Sequence, residues 1–496
     1  MSSKPSLDDT VIRNVVEEVL GRLGHVPQKS PAPAPAAKAA APAPSSRASS
    51  GGRPLGVFPD AALACEAAAA AFLQLVEGGM AARRKVVEIV KALSGQHAEE
   101  WGRIEFEETK IGRLDHKVEK LVGLRAIPGV EFLQPYALSG DHGITHEEYC
   151  PFGVIGAVTP STHSIPTLSA NIISMVSAGN AVVFNAHPNA ARCAAMALRV
   201  YNEAIERETG IRNLATIIES PTIESFKAMC ANEHVRLLCV TGGPGVVKAA
   251  MQAGKRAICA GPGNPPVLVD DTADLDNAAR CIILGGGYDN NLLCIGEKEV
   301  FVLDKVADAL LQAMERAGAI RLNSAQVEKL TKAAFTFPAG QGGGCSHPVV
   351  NKDFIGKDAS ILAKHAGAPA PDKAPLLFGE TDADHPFVIE EQMMPFVPFV
   401  RVRSVAEGIA AAKKAEHNYR HTSIIHSKNV DHMTAMARAL DTTIFVKNGS
   451  CLAGLGNGGE GYPSFSIATP TGEGITNPRT FTRVRRCVMV DNLRIY

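Results

Sequence analysis

With 496 residues, a formal net charge of −1, 46% apolar and 20% charged residues, the chain can bury two or three domain cores and has an ordinary globular composition. So even a charge balance leaves no electrostatic footprint for nucleic acid or an anionic lipid surface, and it argues against both as partners. Eleven Cys without a C-x-x-C pair point to a reducing compartment and away from a zinc site or a disulfide framework.

The opening MSSKPSLDDT lacks an apolar h-region, and no uncharged apolar run of ~18 residues follows. The expectation is a soluble protein that is neither secreted nor membrane-spanning. Leu7–Gly24 then reads as a helix. Val11, Ile12, Val15, Val16, Val19, Leu20 and Leu23 share one face, and Arg13, Asn14, Glu17 and Glu18 share the other. Ser6 with Asp9 resembles a capping box, and Gly24 supplies a stop. Pro27–Pro54, dominated by Ala, Pro and Ser, cannot bury enough apolar surface to offset its chain entropy and reads as an extended tether. A short apolar-faced helix on a tether suits docking onto another protein; a helix packed on the main body is the other reading.

Helical patterns cover Ala61–Val76 and Met80–Leu93, after which strand and helix alternate. Strands are expected at Val154–Val158, Ala181–Asn185, Ala215–Ile218, Leu237–Val240 and Ala257–Cys259. Helices are expected at Thr167–Ser177, Ala190–Arg207, Thr222–Ala231 and Gly245–Gly254. Near-continuous apolar strands separated by helices predict an α/β fold with a parallel sheet covered on both faces. Such sheets bind ligands at the carboxyl ends of their strands. A second α/β block starts near Pro266 and includes Glu299–Val302, a helix over Val306–Ala317 and the strand Ser423–His426. Phe481–Val490 reads as a last strand.

The chemistry centres on Tyr288–Val302, YDNNLLCIGEKEVFV. A nucleophilic thiol needs an accessible loop with N–H donors and little competing charge, and Cys294 has that setting. Gly285-Gly286-Gly287 reads as a flexible approach, and Gly296 clears bulk beside the sulfur. Thr241-Gly242-Gly243-Pro244-Gly245 follows a strand and opens a helix, so it is either an anion site or a tight βα turn. Asn185-Ala186-His187-Pro188 follows another strand, where a ring or amide can meet a ribose. No metal site is expected. Glu105–Glu108 reads as a solvated helix face, and His142, His146, His347, His417 and His421 as surface or packing residues. Gln341–Cys345 is a Gly-rich loop without a readable role.

Taken in order, these pieces carry a resemblance. Phe152–Pro160 (FGVIGAVTP), Ser161-Thr162-His163, Val183–Pro188 (VFNAHP), Val240–Gly245 (VTGGPG), the Cys294 loop, Glu390–Pro395 (EEQMMP) and Thr471–Gly474 (TGEG) together resemble the aldehyde dehydrogenase superfamily. The similarity is greatest to its CoA-acylating branch, in particular the propionaldehyde-oxidising members of bacterial microcompartments. It implies two doubly wound α/β domains, for cofactor and catalysis, plus a small oligomerisation strand region. The boundaries it suggests are an encapsulation-type helix at 1–25, a linker at 26–54, an NAD-binding domain at 55–264, a catalytic domain at 265–455 and a C-terminal oligomerisation segment at 456–496.

By that resemblance Cys294 attacks the aldehyde, and its own N–H with a donor near Thr162 holds the oxyanion. Thr159, Pro160, His187, Pro188, Gly242, Gly243 and Gly245 fall where the family binds NAD, and Glu391 where it meets the nicotinamide ribose. No acid stands at His187, which leaves room for a 2′-phosphate beside the favoured NAD. Hydrolytic members carry a glutamate that Ala260–Pro265 (AGPGNP) lacks, so coenzyme A is expected to take the acyl group. A carboxylate restored there, for instance at Asn264, is expected to raise hydrolysis. Thr162-His163 replaces the P-W-N of hydrolytic enzymes, so His163 stands either beside the oxyanion or as a structural residue. The implied partners are a short aldehyde, CoA and a microcompartment shell protein that the N-terminal helix binds, in a homodimer or homotetramer in the bacterial cytoplasm. A hydrolytic enzyme with its base elsewhere, and a silent shell-binding scaffold, are the alternatives.

Overall fold

Val, Ile and Ala runs bounded by helix caps assemble into two large parallel sheets, beside a three-stranded antiparallel sheet and two short two-stranded antiparallel pairs. The computed structural model describes residues 54–337 and 348–494; the helix Leu7–Gly24, the tether, His347 and Gln341–Cys345 lie outside the described residues. Residues 54–496 make one compact unit.

In chain order the first block contains β1 (Val57–Phe58), α1 (Ala61–Gln96), α2 (Ala98–Thr109), α3 (Leu114–Gly123), β2 (Tyr136–Gly140), β3 (Gly143–Pro151), β4 (Val154–Thr159) and α4 (Ser164–Ser177). It continues with β5 (Ala181–Ala186), α5 (Ala191–Thr209), β6 (Ala215–Ile218), α6 (Ile223–Ala231), β7 (Val235–Thr241), α7 (Pro244–Met251) and β8 (Arg256–Ala260). Its six-stranded sheet has the order β1-β6-β5-β4-β7-β8, and every pairing is parallel. The chain runs outward one way from β4 through β5 to β6, then reverses to β7 and β8. A crevice therefore opens at the carboxyl ends of β4 and β7, where doubly wound sheets bind ligands.

Asp60 caps α1 by accepting from the Leu63 N–H at 2.9 Å. Ala64, Cys65, Ala68, Ala71 and Leu75 are buried at helical spacing, so the Ala-rich face packs inward. An 18-residue window of this helix has mean hydropathy 1.4, high enough by length and composition to cross a membrane. Gly79 breaks it at φ 59°, ψ −152°, at the junction the two expected helices left between them. All fourteen residues of α4 are buried, which makes it the central helix of this block.

The second block has a seven-stranded sheet built from β9 (Pro266–Val269), β10 (Glu299–Leu303), β11 (Ile320–Leu322), β12 (Leu377–Glu380), β13 (Phe396–Val402), β14 (Thr422–His426) and β15 (Ile444–Lys447). Its order is β11-β12-β13-β10-β9-β14-β15, again parallel throughout. The helix α8 (Leu275–Gly287) connects β9 towards β10. It includes Gly285, Gly286 and Gly287, so this stretch is not the flexible approach expected from composition. A Cβ at Gly285 would sit 1.8 Å from Glu297 Oε2, and one at Gly287 would sit 2.7 Å from the Pro375 carbonyl. Close packing, rather than mobility, requires glycine there.

The last strand, β16 (Thr482–Val490), pairs antiparallel with β3 from Thr482↔Pro151 to Val490↔Gly143. It lies at the edge of the β2-β3-β16 sheet and leaves Val484, Val488 and Val490 in water.

Candidate active site

Three consecutive left-handed residues deliver the candidate nucleophile. Asp289, Asn290 and Asn291 have φ of 49°, 56° and 62°, a region Asp and Asn enter more readily than other non-glycine residues. Each side chain also anchors the turn. Asp289 accepts the Arg113 N–H at 2.8 Å and pairs with the buried Lys120 ammonium. The Asn290 amide donates to the Gly356 carbonyl at 2.9 Å and to Asp358 at 2.8 Å, and the Asn291 amide donates to the Glu297 carbonyl at 3.0 Å. His116 stacks on Tyr288 at 4.2 Å and accepts the Asp289 N–H at 2.8 Å. The loop that follows is thus fixed from both sides, and Cys294 emerges from it partly exposed.

Burial pushes the Cys294 thiol up to about 12; the facing Glu391 carboxylate raises it too, and the Lys298 ammonium opposes both. Burial raises Glu391 as well, against Lys298 and a hydrogen bond from the Gly263 N–H. A Cβ at Gly263 would lie 2.4 Å from the Cys294 carbonyl oxygen and 2.9 Å from the His421 ring. This glycine is what lets the three segments converge. His421 is fully buried, and burial first, then Lys298, holds its ring down to about 4, so it is neutral here. Glu391→Gln removes the anion that faces the sulfur. The expected result is a midpoint about one pH unit lower for iodoacetamide alkylation of Cys294, followed by peptide mass spectrometry. A midpoint that stays or rises counts against this electrostatic arrangement.

Cys294 opens into a cavity of about 840 Å³. Thr159, Pro160, Thr162, His187, Pro188, Gly242, Gly243 and Glu391 line the same cavity, and Gly245 does not. Gly245 lies in the first turn of α7, just behind Gly243 and Pro244. The carboxyl ends of β4, β5, β7 and β8 supply one wall. The loops that enter β9, β10 and β13 at their amino ends supply the facing wall, with Pro262, Cys294 and Glu391.

The lining fits a dinucleotide. Thr159 Oγ1 and His163 Nδ1 are buried without a hydrogen-bond partner, so two polar atoms are free for a ligand. Gly242 has no space for a side chain, since a Cβ would meet Val246 at 2.7 Å, and its backbone can approach a phosphate closely. His163 is buried, with its ring 5.8 Å from that of Phe465, and burial next to Lys120 and Lys117 holds it well below the usual histidine range.

Two supports escaped the sequence reading. Glu105 is not on a solvated face: it is 1% exposed, bonds Lys117 at 3.0 Å and accepts the Ile165 N–H at 2.9 Å at the start of α4. Lys117 in turn donates to the Thr162 carbonyl at 3.1 Å, so this buried pair holds the Thr162 turn against the cavity. Glu108 caps α5 by accepting from Cys193 N–H at 2.7 Å. The second is Lys298, described below. Asn264 is also placed differently from the expectation. It is fully buried and donates to the Val388 and Ala415 carbonyls at 2.9 Å each, so a carboxylate there would break both bonds instead of reaching the thioester. The members of that segment that face the cavity are Ala260, Gly261 and Pro262, none of them acidic.

The sequence profile of the aldehyde dehydrogenase family matches residues 41–461. The acetylating acetaldehyde dehydrogenase of Salmonella typhimurium is 44% identical over 91% of this chain and 96% of its own. A propionaldehyde dehydrogenase from the fucose utilisation microcompartment of Clostridium phytofermentans superposes with a TM-score of 0.85 at 42% identity, covering 89% of this chain and 100% of that one. The propionaldehyde dehydrogenase of Rhodopseudomonas palustris, solved with bound CoA and an acylated cysteine, superposes with a TM-score of 0.84 at 41% identity over 88% of this chain and 98% of that one.

Proposed function

From the premise that the chain belongs to the aldehyde dehydrogenase family, we propose that it is a CoA-acylating enzyme that oxidises a short aldehyde, propionaldehyde foremost, to an acyl-CoA. One observation carries the CoA-acylating reading: the part of the Ala260–Pro265 segment that lines the Cys294 cavity, Ala260–Pro262, has no carboxylate where hydrolytic members carry their glutamate. The balance is aldehyde, CoA thiol and NAD⁺ in; acyl-CoA, NADH and a proton out.

The Cys294 thiolate adds to the aldehyde carbon, forming a C–S bond and an oxyanion. The Cys294 N–H and a donor at the Thr162 turn face that oxygen. The C=O re-forms as hydride leaves the same carbon, and bound NAD⁺ supplies the acceptor for it. A thioester on Cys294 remains. The CoA thiolate adds to its carbon, and Cys294 leaves as thiolate. Thr159, Pro160, His187, Pro188, Gly242, Gly243 and Glu391 would hold the dinucleotide, Gly242 offering its backbone to the pyrophosphate and Glu391 a carboxylate to the nicotinamide ribose. NADH formation from propionaldehyde, measured with and without CoA, tests this. Sustained turnover only with CoA is expected; equal turnover without it would mean a hydrolytic enzyme, and none at all a silent scaffold.

The setting proposed is a bacterial microcompartment in the cytoplasm. The helical spacing of apolar residues in the sequence of Leu7–Gly24 supports a shell protein as its partner, since the seven apolar side chains which that spacing would gather on one face, each worth ~1.5–3 kcal/mol on burial, would favour docking. Deleting Met1–Gly52 is expected to leave turnover unchanged and to abolish co-purification with the shell. Lost turnover on truncation would assign the helix to the catalytic body. The exposed apolar edge of β16 supports pairing of subunits as a dimer or tetramer.

A further inference from the structure

Beneath the nucleophile loop lies a cation with an unusual set of partners. Lys298 is fully buried, and its ammonium donates to the Asn291 carbonyl at 2.7 Å, the Asn291 side-chain oxygen, and the Leu293 carbonyl at 3.2 Å. All three oxygens belong to the turn just before Cys294. Among the described residues Lys298 makes no ion pair within 4.0 Å; burial draws the ammonium down, and the three neutral oxygens together with the more distant Glu391 carboxylate oppose that loss, a costly arrangement for stability. The Leu293 carbonyl and the Cys294 N–H are the two ends of one peptide group. A cation on the oxygen of an amide draws charge towards that oxygen and makes the N–H a stronger donor.

We propose that Lys298 is a positioning residue for the acylation chemistry: it holds the left-handed turn of Asn291 and polarises the Leu293–Cys294 peptide so that its N–H meets the developing oxyanion. The same charge favours the Cys294 thiolate against Glu391. This rests on the acylating reading above. The groups that share the field are few. Cys294 is faced by Glu391 and Lys298; Lys298 is faced by Glu391, Cys294, Cys451 and Glu299, and its charge also reaches Glu297 and His421. Burial draws Glu297, Glu299 and Glu391 all towards their protonated forms, and Glu391 is the carboxylate whose charge acts on Cys294.

The test compares Lys298→Gln, which keeps an N–H donor without the charge, with Lys298→Arg, which keeps the charge, in the full chain. Three quantities are read: the pH midpoint of Cys294 alkylation, kcat and KM for propionaldehyde, and NAD⁺ binding as the control for folding. Lys298→Gln is expected to raise the midpoint by about one pH unit and to lower kcat at least ~10-fold with little change in KM. Lys298→Arg is expected to restore the midpoint. If Lys298→Gln does not fold, the same comparison in the Glu391→Gln background, which removes the carboxylate that acts on Cys294, replaces it. A folded Lys298→Gln enzyme with an unmoved midpoint and kcat overturns the proposal. So do equal losses in both variants with neither midpoint shifted, since that marks a role in folding alone. A wild-type enzyme that turns over without CoA, yet shows the midpoint shift, overturns the acylating reading instead.

Discussion

Cys294→Ser is expected to stop NADH formation, by on the order of 10⁴-fold or more, while NAD⁺ binding stays close to wild type. The reason is local. A serine hydroxyl needs a base to become a nucleophile. The carboxylate facing this position, Glu391, is itself drawn towards its protonated form by burial, and the neighbouring Lys298 ammonium directs its N–H groups to the Asn291 and Leu293 oxygens and is a donor, not a base. The thiol can still ionise because sulfur tolerates burial better than oxygen and because Lys298 opposes the penalty. Peptide mass spectrometry after incubation with an acyl-CoA reads the outcome. An acyl group retained by the Ser variant, or found on any of the other ten cysteines (eleven less Cys294), would remove Cys294 from the reaction.

Asp289→Ala is expected to destabilise the fold by about 3–5 kcal/mol, the usual cost of leaving a buried partner charge uncompensated. Lys120, buried beside it, would keep its ammonium with no counter-ion at 3% side-chain exposure. The Arg113 N–H would lose its acceptor too, and an Ala would have to hold φ 49°. Asp289→Asn separates these effects, because it tolerates the backbone angle and accepts one bond but leaves Lys120 unpaired. Urea unfolding should rank wild type first, Asn second and Ala last. Equal midpoints for all three would show that the loop does not depend on this pair. Both variants are also expected to lower turnover, since the same residue sets the direction of the Cys294 loop.

Much of this is legible in the amino-acid sequence alone. The parallel sheets announce themselves in runs such as Val154–Val158 and Ala181–Asn185, whose two buried faces force continuous apolar composition. The Cys294 loop stands out because Asp-Asn-Asn and Gly296 are turn residues, while Glu391 came from the resemblance. What stayed hidden depends on contacts distant in sequence. Glu105 looks solvated until Lys117 and the Ile165 N–H are brought to it. Gly285–Gly287 looks flexible because nothing nearby says that Glu297 and Pro375 will press against it. The strands Tyr136–Gly140 and Gly143–Pro151 were missed because most of their residues stay exposed or half-buried and give no apolar run. Lys298, between Glu297 and Glu299, has the pattern of a solvated charge cluster, and all three are buried. Its signal was available in principle, since its partners Asn291 and Leu293 lie only seven and five residues before it in sequence.

The most direct test of the central claim is a rapid-mixing experiment on the full chain with propionaldehyde and NAD⁺, first without CoA. The predicted result is a single burst of NADH, one per Cys294, then a stall, with a propionyl group on the Cys294 peptide. Adding CoA should release that group as propionyl-CoA and restart turnover. Continuous NADH formation without CoA, with no acyl group held on Cys294, would contradict it.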